Sequence, residues 1–490
     1  MKRLTLIFFI ACFSNSLAQR TNVVLIMADD IGLGDIGFYH TQRTGEEPII
    51  PTPNIDLLIK NGMRFNDAHS PASLCAPTRF SMLTGNFSYR NKTHPWGVWK
   101  PEIKAGIEPN FTTIARIAQS ADYKTAFFGK WGLGGVWNNF NGKTEQYKKM
   151  DKGARYFGFD YAVELPQGIQ NMPFAFYENS EWLPLNAKSE LVELSFEQTK
   201  YDERERHHKR EGLGDSYWDP TLAGFILADK AVEYIQNQKA ATPFFLYYCS
   251  QAVHIPHTPS EKLDGIEVAG TTANKQGDMI KELDIQVGMI VKALKKQGLY
   301  ENTLFIFTSD NGGLKHYNAK GHDSSNGLTG AKGSIYEGGH RVPFIAVWPD
   351  KIKPNTSADV TIVSHDIVAT LAALLQTKSV QNKILDAANL LPVLTKESTD
   401  SLHKYILHQS QSSGGPYYAL REGDWKLVMK TEKREDFENL EVIGLYNLQQ
   451  DVAELPKNNL INDTKQSKRI EEMLQTYKKI RMNGEITVNQ

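Results

Sequence analysis

The sequence predicts an α/β protein in which a large, mixed, mostly parallel sheet is sandwiched between helices, followed by a smaller α+β unit with an antiparallel sheet. Three observations carry this reading. Short runs rich in β-branched and aromatic residues alternate with amphipathic segments. The runs deliver their polar residues at their C-terminal ends, where ligands bind in open α/β sheets. Beyond about residue 380 the pattern changes to closely spaced short strands and one closing helix. The chain carries 55 Lys and Arg against 56 Asp and Glu, a balance that argues against a nucleic-acid partner or a membrane-surface footprint.

Lys2 and Arg3 precede the apolar run Leu4 to Phe13, and Ser16, Leu17 and Ala18 form a small-residue cleavage site. This reads as a signal peptide over residues 1–18, so the mature protein is expected to be periplasmic or secreted. The run falls short of the roughly 20 apolar residues a membrane span requires, and no later stretch supplies them. Cys12 lies in this leader, where Phe9 makes a poor match to a lipid-attachment signal. Without the leader only Cys75 and Cys249 remain, too few for a disulfide framework. Cys249 ends a buried-strand pattern and reads as an inert core thiol.

Asn22 to Met27 is a buried strand leading into Asp29 and Asp30. Ile55 to Lys60 is helical and Met63 to Asn66 extended. Pro77 suits a first helical turn, because its missing N–H would be unpaired there. Cys75 is therefore expected just ahead of a helix reaching Leu83, with Arg79 one turn on and able to reach back toward it. Thr112 to Ser120 follows as a helix and Thr125 to Phe128 as a strand ending near Lys130. From Val136 to Ser216, including the charged run Arg204 to Arg210, no period is sustained, so a loop-rich insertion is expected.

Regular structure resumes with a helix over Thr221 to Gln236, the strand Phe244 to Cys249, and a long helix from Gln276 to Gln297. The strand Leu304 to Thr308 runs into Ser309, Asp310 and Asn311; Val342 to Trp348 is a strand and Asp366 to Leu375 a helix. The second unit, residues 381–490, contributes strands at Tyr405 to His408, Tyr418 to Glu422 and Trp425 to Met429, and a helix over Ser467 to Ile480.

Two acidic clusters at strand ends, Asp29 with Asp30 and Asp310 with Asn311, offer hard oxygen donors that select calcium or magnesium over zinc. The amide beside several carboxylates suits calcium's larger shell. Cys75 opens Cys-Ala-Pro-Thr-Arg, followed by Met-Leu-Thr-Gly. A helix N-terminus and Arg79 make its surroundings positive.

The Cys-x-Pro-Thr-Arg stretch with Met-Leu-Thr-Gly resembles the signature of type I sulfatases, in which the cysteine is oxidised to formylglycine. Ser309-Asp310-Asn311-Gly312 matches that family's second metal motif. Lys130 in Gly-Lys-Trp-Gly-Leu-Gly, His254 in Ala-Val-His-Ile-Pro and Lys332 in Gly-Ala-Lys-Gly follow the family's chain order. The resemblance runs from Asn22 through Trp348 and less sharply to Leu445–Leu448. It implies an alkaline-phosphatase-like fold, a catalytic domain over 19–380, and a maturation enzyme that generates the formylglycine. It also implies one calcium ion held by Asp29, Asp30, Asp310, Asn311 and the converted Cys75.

The roles that follow from the resemblance are a hydrated aldehyde at 75 as nucleophile, its proton drawn toward Asp310, and Arg79 holding the diol. Lys130 and Lys332 would meet charge on the sulfuryl group, and His254 would protonate the departing alcohol, with His257 the nearest alternative. One departure stands out: the family commonly has His two residues after the lysine, to bond the formylglycine hydroxyl, where this chain has Gly132. Asn311 replaces the histidine that two-metal phosphatases of the superfamily use. The substrate expected is a sulfated polysaccharide or its fragments, such as those of algal walls or glycosaminoglycans, met by the insertion, by His316 to His322 and by the second unit. Two readings compete: a phosphonate or phosphate ester hydrolase using the same aldehyde, and a non-catalytic carbohydrate-binding protein with Cys75 unconverted.

Overall fold

The computed structural model describes residues 20–100, 106–135, 137, 144–200, 211–377, 383–396, 398–412 and 414–489. The leader with Cys12, the charged run Arg204 to Arg210 and the boundary near residue 380 lie outside the described residues. The main sheet is built from β1 (Asn22–Ala28), β2 (Met63–Phe65), β3 (Lys124–Lys130), β4 (Tyr161–Ile169), β5 (Phe176–Glu178), β6 (Glu181–Leu183), β7 (Phe244–Cys249), β8 (Thr303–Ser309), β9 (Phe344–Val347) and β10 (Thr356–Ala358). Its order is β10-β2-β9-β8-β1-β7-β3-β4-β5-β6, and the centre from β8 to β4 is parallel throughout. β9 pairs antiparallel with both neighbours, as does β5, so the sheet is mixed and mostly parallel.

All seven residues of β1 are buried, since helices cover both faces of the sheet. Val24, Ile26 and Ala28 enter one core and Val23, Leu25 and Met27 the other. Helices α1 (Pro53–Asn61), α4 (Ala223–Gln236) and α5 (Lys275–Lys296) bury residues in the first; α2 (Cys75–Thr84), α3 (Ile114–Ser120) and α6 (Asp366–Leu374) bury theirs in the second. Because the parallel strands share one direction, Asp29, Lys130, Ser250 and Asp310 all emerge at the same sheet edge. That edge is where the chemistry-bearing residues collect.

The stretch 136–216 holds more regular structure than its sequence signals. β4 is nine residues long, pairs parallel with β3, and is buried along all but its first residue. Its Pro166, Gly168 and buried Glu164 obscure the strand pattern, which tertiary pairing overrides. Leu191–Leu194 and Gly212–Asp215 add a separate two-stranded ladder. The helix carrying Cys75 also begins one step earlier than expected: Cys75 is its first residue and Leu74 the N-cap.

The second unit has a four-stranded antiparallel sheet, β11 (Ile406–Ser412), β12 (Gly415–Glu422), β13 (Trp425–Lys430) and β14 (Glu441–Asn447), with α7 (Ser467–Asn483) closing its core. β14 completes the sheet the sequence outlined with three strands. Buried ion pairs tie the unit to the first part of the chain at Asp67 and Glu337, and Lys426 also holds Glu454 of its own unit. Arg421 meets Asp67 at 2.5 Å, and Lys426 meets Glu337 at 3.0 Å and Glu454 at 2.9 Å. His69, His340 and His408 lie among them, with the His340 and His408 rings stacked 3.6 Å apart. Stacked rings direct their in-plane lone pairs along parallel planes, and Lys426 already sits 3.0 Å from His340 Nε2. The cluster is a junction between units and a poor cation site.

Candidate active site

Asp29 and Asp30 follow β1 where its ladders end. Asp29 N–H donates to the Ala252 carbonyl at 2.9 Å and Asp30 N–H to Asp310 Oδ1 at 3.0 Å, which ties together the loops after β1, β7 and β8. Asp30 takes a left-handed φ of 66°, a turn in which both carboxylates stay buried. Ser309 Oγ accepts from Ile31 N–H and donates to the Asn311 carbonyl, each at 3.0 Å, fixing the loop after β8.

Every carboxylate here has a cation. Lys130 Nζ donates to Asp29 Oδ2 at 2.7 Å. Lys332 Nζ lies 2.7 Å from both oxygens of Asp30. Arg79 donates to Asp310 Oδ2 at 2.8 Å and to the Lys130 carbonyl at 2.7 Å. Arg79 lines the same cavity as Cys75, as the sequence led one to expect, while its hydrogen bonds reach across to the ends of β3 and β8 and its Nε is left unpaired. Burial works against the charge on Asp29, yet Lys130, His254, Arg79 and Lys332 hold it well below the usual carboxylate range. Asp310 goes the other way, raised by its burial and by the neighbouring Asp29.

His254 donates Nδ1–H to the Ile255 carbonyl at 2.6 Å, which leaves Nε2 as the lone-pair nitrogen, 3.9 Å from Asp30 Oδ2. Burial, then Lys332 and Lys130, push this imidazole down to about 3. Its loop is held from α5: Gln251 Nε2 donates to Glu282 Oε1 at 2.9 Å and Ser260 N–H to Glu282 Oε2 at 2.7 Å.

Cys75, Arg79, Lys130, His254 and Lys332 all line one cavity of about 140 Å³, and the Asp29, Asp30, Asp310 and Asn311 cluster adjoins it through their ion pairs. The structure thus brings every predicted site residue together. His257 does not line the cavity; its ring packs edge-on against Tyr317. His322, from the segment expected to meet substrate, bonds Asp35 at 2.7 Å. Sequence reasoning missed Val98, Trp99, Gln167, Gln170 and Asn171, which line the same cavity. The last three come from the end of β4 and just beyond it, inside the stretch read as loop-rich; recognising that strand would have brought them to the shared sheet edge.

The acidic cluster fits a hard divalent cation. Oxygens of Asp29, Asp30 and Asp310 lie within 4.8 Å of one another, and Asp29 Oδ1 and Asn311 Oδ1 are buried without a hydrogen bond. An all-oxygen set with two such unpaired acceptors suits calcium or magnesium. Cys249, below, is a buried free thiol pushed up to about 12 chiefly by burial, in keeping with its inert reading.

A sheet of this order, with paired lysines and an arginine over an acidic cluster beside a nucleophile at a helix start, defines a hydrolase of anionic esters. The family model for sulfatases matches residues 21–377, and that for the C-terminal part of N-sulphoglucosamine sulphohydrolase matches 331–483. The chain belongs to the type I sulfatase family and is a sulfuric ester hydrolase. It is 30% identical over 443 residues to an N-acetylgalactosamine-6-O-sulfatase of Bacteroides thetaiotaomicron, covering 84% of this chain and 83% of that one. To human arylsulfatase A it is 32% identical over 426 residues, covering 85% and 76%. A solved structure from work on the metabolism of multiple glycosaminoglycans by Bacteroides thetaiotaomicron superposes with a TM-score of 0.78 at 27% identity, over 95% of this chain and all of that one.

Proposed function

We propose that this enzyme is exported and removes sulfate from sulfated polysaccharides or their fragments, with Cys75 matured to formylglycine and one calcium ion held by Asp29, Asp30, Asp310 and Asn311. The observation that carries the reading is the convergence of Cys75 with Arg79, Lys130, His254 and Lys332 on one small cavity beside the acidic cluster. Relatives that act on amino-sugar sulfates support the carbohydrate class.

A formylglycine at 75 would supply, as its hydrate, one hydroxyl to attack sulfur and a second whose deprotonation releases sulfate. A cation in the acidic cluster would supply positive charge that lowers the pKa of the attacking hydroxyl. This chain's own residues do the rest. Lys130 and Lys332, anchored by Asp29 and Asp30, present fixed positive charge to the sulfuryl oxygens as charge spreads over them. Arg79 clamps the end of β3 to Asp310 and so holds Lys130 in register with the acid. His254 Nε2, the one nitrogen of that ring not bound to backbone, is left to meet the leaving oxygen of a bound ester. Its ring is neutral in the free site, so the proton it delivers is taken up together with the anionic ester, whose negative charge favours the imidazolium.

The test is the formylglycine-bearing protein assayed on sulfated oligosaccharides, with the peptide containing position 75 examined by mass spectrometry. Sulfate release by protein carrying the aldehyde is expected. An active enzyme with a quantitatively intact Cys75 thiol would overturn the aldehyde, and preference for a phosphonate ester would move the reading to the competing hydrolase.

A further inference from the structure

Each cation of the cavity already has a partner. Lys130 is bound to Asp29, Lys332 to Asp30, and Arg79 to Asp310 and the Lys130 carbonyl, while the indole N–H of Trp99 donates to the Trp96 carbonyl at 3.1 Å. Among the described residues two buried side-chain donors lining the cavity make no hydrogen bond: Arg79 Nε, on a guanidinium already held by Asp310 and the Lys130 carbonyl, and Gln167 Nε2. Gln167 is only 4% exposed, and its Nε2 makes no hydrogen bond. A buried amide N–H without a partner is unfavourable, and such groups concentrate where a ligand completes them.

The local backbone explains why a residue from β4 occupies this place. Trp131 N–H donates to the Leu165 carbonyl at 3.0 Å and Gly132 N–H to the Pro166 carbonyl at 2.9 Å, setting Gln167 alongside the loop that follows β3. Gly132 has φ +70°, and a Cβ there would stand 2.9 Å from Arg79 Cδ. Nothing larger than glycine fits without moving the arginine that holds Asp310. The wall beside Gly132 is therefore furnished by the adjoining strand. Gly168 repeats the constraint: at φ +73° its Cβ would lie 2.9 Å from Lys130 Cδ, so the turn after Gln167 leaves room for the lysine stem.

We infer that Gln167 is a substrate-positioning residue that donates its Nε2–H to a sulfuryl oxygen of the bound ester, as the neutral member of an otherwise cationic set. It orients the group and transfers no proton. The inference rests on the sulfate-ester reading of the cavity. It also carries a signature opposite to that of a structural glutamine, because replacing an unpartnered buried amide by an apolar group of like size removes a destabilising feature while it removes the donor.

The experiment measures turnover and melting temperature, with and without inorganic sulfate, for the full-length formylglycine-bearing enzyme and its Gln167→Leu and Gln167→Glu variants. Gln167→Leu should lose about 10²-fold in kcat, the scale for one donor to developing negative charge, while melting at or above the wild-type temperature. Its stabilisation by added sulfate should shrink. Gln167→Glu keeps the shape but turns an acceptor toward the sulfuryl group, and should lose at least as much. Turnover of Gln167→Leu within about threefold of wild type would overturn the inference. So would a lower melting temperature with the sulfate-induced shift intact, which marks a packing role. If wild type itself fails on sulfate esters while the sulfate shift still depends on Gln167, the parent reading falls and the anion donor stands.

Discussion

Truncating His254 to Ala should separate substrates by the quality of their leaving group. The ring's one backbone hydrogen bond is Nδ1–H to Ile255, and Nε2 at 3.9 Å from Asp30 is too far to hold that carboxylate. Removing the imidazole leaves Asp30 with both Lys332 and Asn311 Nδ2. The stability loss is therefore confined to one hydrogen bond and part of a ring, about 1–2 kcal/mol against a total of order 10. The protein should fold and retain its cavity. Chemistry then reads out directly. A sugar alkoxide needs a proton as it departs, help typically worth about 10²–10⁴ in rate, whereas a nitrophenolate leaves without it. Turnover on a sulfated oligosaccharide should drop by that range, and turnover on nitrophenyl sulfate by at most about tenfold. The assay compares kcat on both substrates for wild type and variant, with the melting temperature as a folding control. Equal losses on the two substrates would refute the assignment and move the acid to Lys332, which lines the same cavity.

Calcium should raise the melting temperature of metal-free enzyme, by an amount equivalent to about 2.7 kcal/mol at a hundredfold excess over Kd, and Asp310→Asn should abolish most of that shift; unchanged melting and turnover after exhaustive chelation would exclude the cation. Lys426→Met leaves Glu337 and Glu454 buried without their lysine, and should lower unfolding free energy by about 3–5 kcal/mol in denaturant titrations. A loss under about 1 kcal/mol would mean that the junction is hydrated. Glu164 is held protonated by burial, pushed up to about 8, with only the Ala154 N–H against it. Its unfolded counterpart ionises near the ordinary carboxylate value of about 4.3, so this group's contribution is fully present below that value and is lost as pH rises toward 8. Glu164→Gln should flatten the fall in stability between those limits; an identical pH profile would show that the group ionises in the fold.

Much of the site was legible because parallel strands announce themselves. Val23 to Met27 and Leu304 to Phe307 are continuous apolar runs ended by acids, and the cysteine motif fixes the helix start between them. What was not legible depends on contacts between distant segments. Arg79 lies one turn from Cys75, so local spacing points it there; its bond to Asp310 appears only when β1 and β8 are adjacent. β4 carries Pro166 and Gly168, both poor strand formers, and is recruited by a ladder to β3 that no local pattern encodes. Gln167 was hidden for the same reason. The junction of Arg421, Lys426 and the three histidines was hidden too, since single charges scattered over more than 350 residues read as surface until packing collects them.

The charge arrangement at the sheet edge bears on why such a site takes anions. Asp29, Asp30 and Asp310 are matched one to one by Lys130, Lys332 and Arg79, all buried or nearly so. An unmatched buried charge would be far more costly than a pair, so the matching lets buried charge persist in the fold before any ligand arrives, with Asp310, raised by burial and by Asp29, the carboxyl held least firmly ionised. A divalent cation held there, as proposed above, would add surplus positive charge to the matched set, while His254, neutral in the free site, adds none. A sulfate monoester brings one negative charge. With that cation in place it would enter a site that still carries positive charge once it is bound, which is the condition for stabilising further negative charge as it builds on the sulfuryl and leaving oxygens. Neutralising either lysine would therefore do two kinds of harm. It removes a fixed donor to the sulfuryl group, and it leaves Asp29 or Asp30 without its counter-charge, so that the balance on which the surplus depends is lost from the same position.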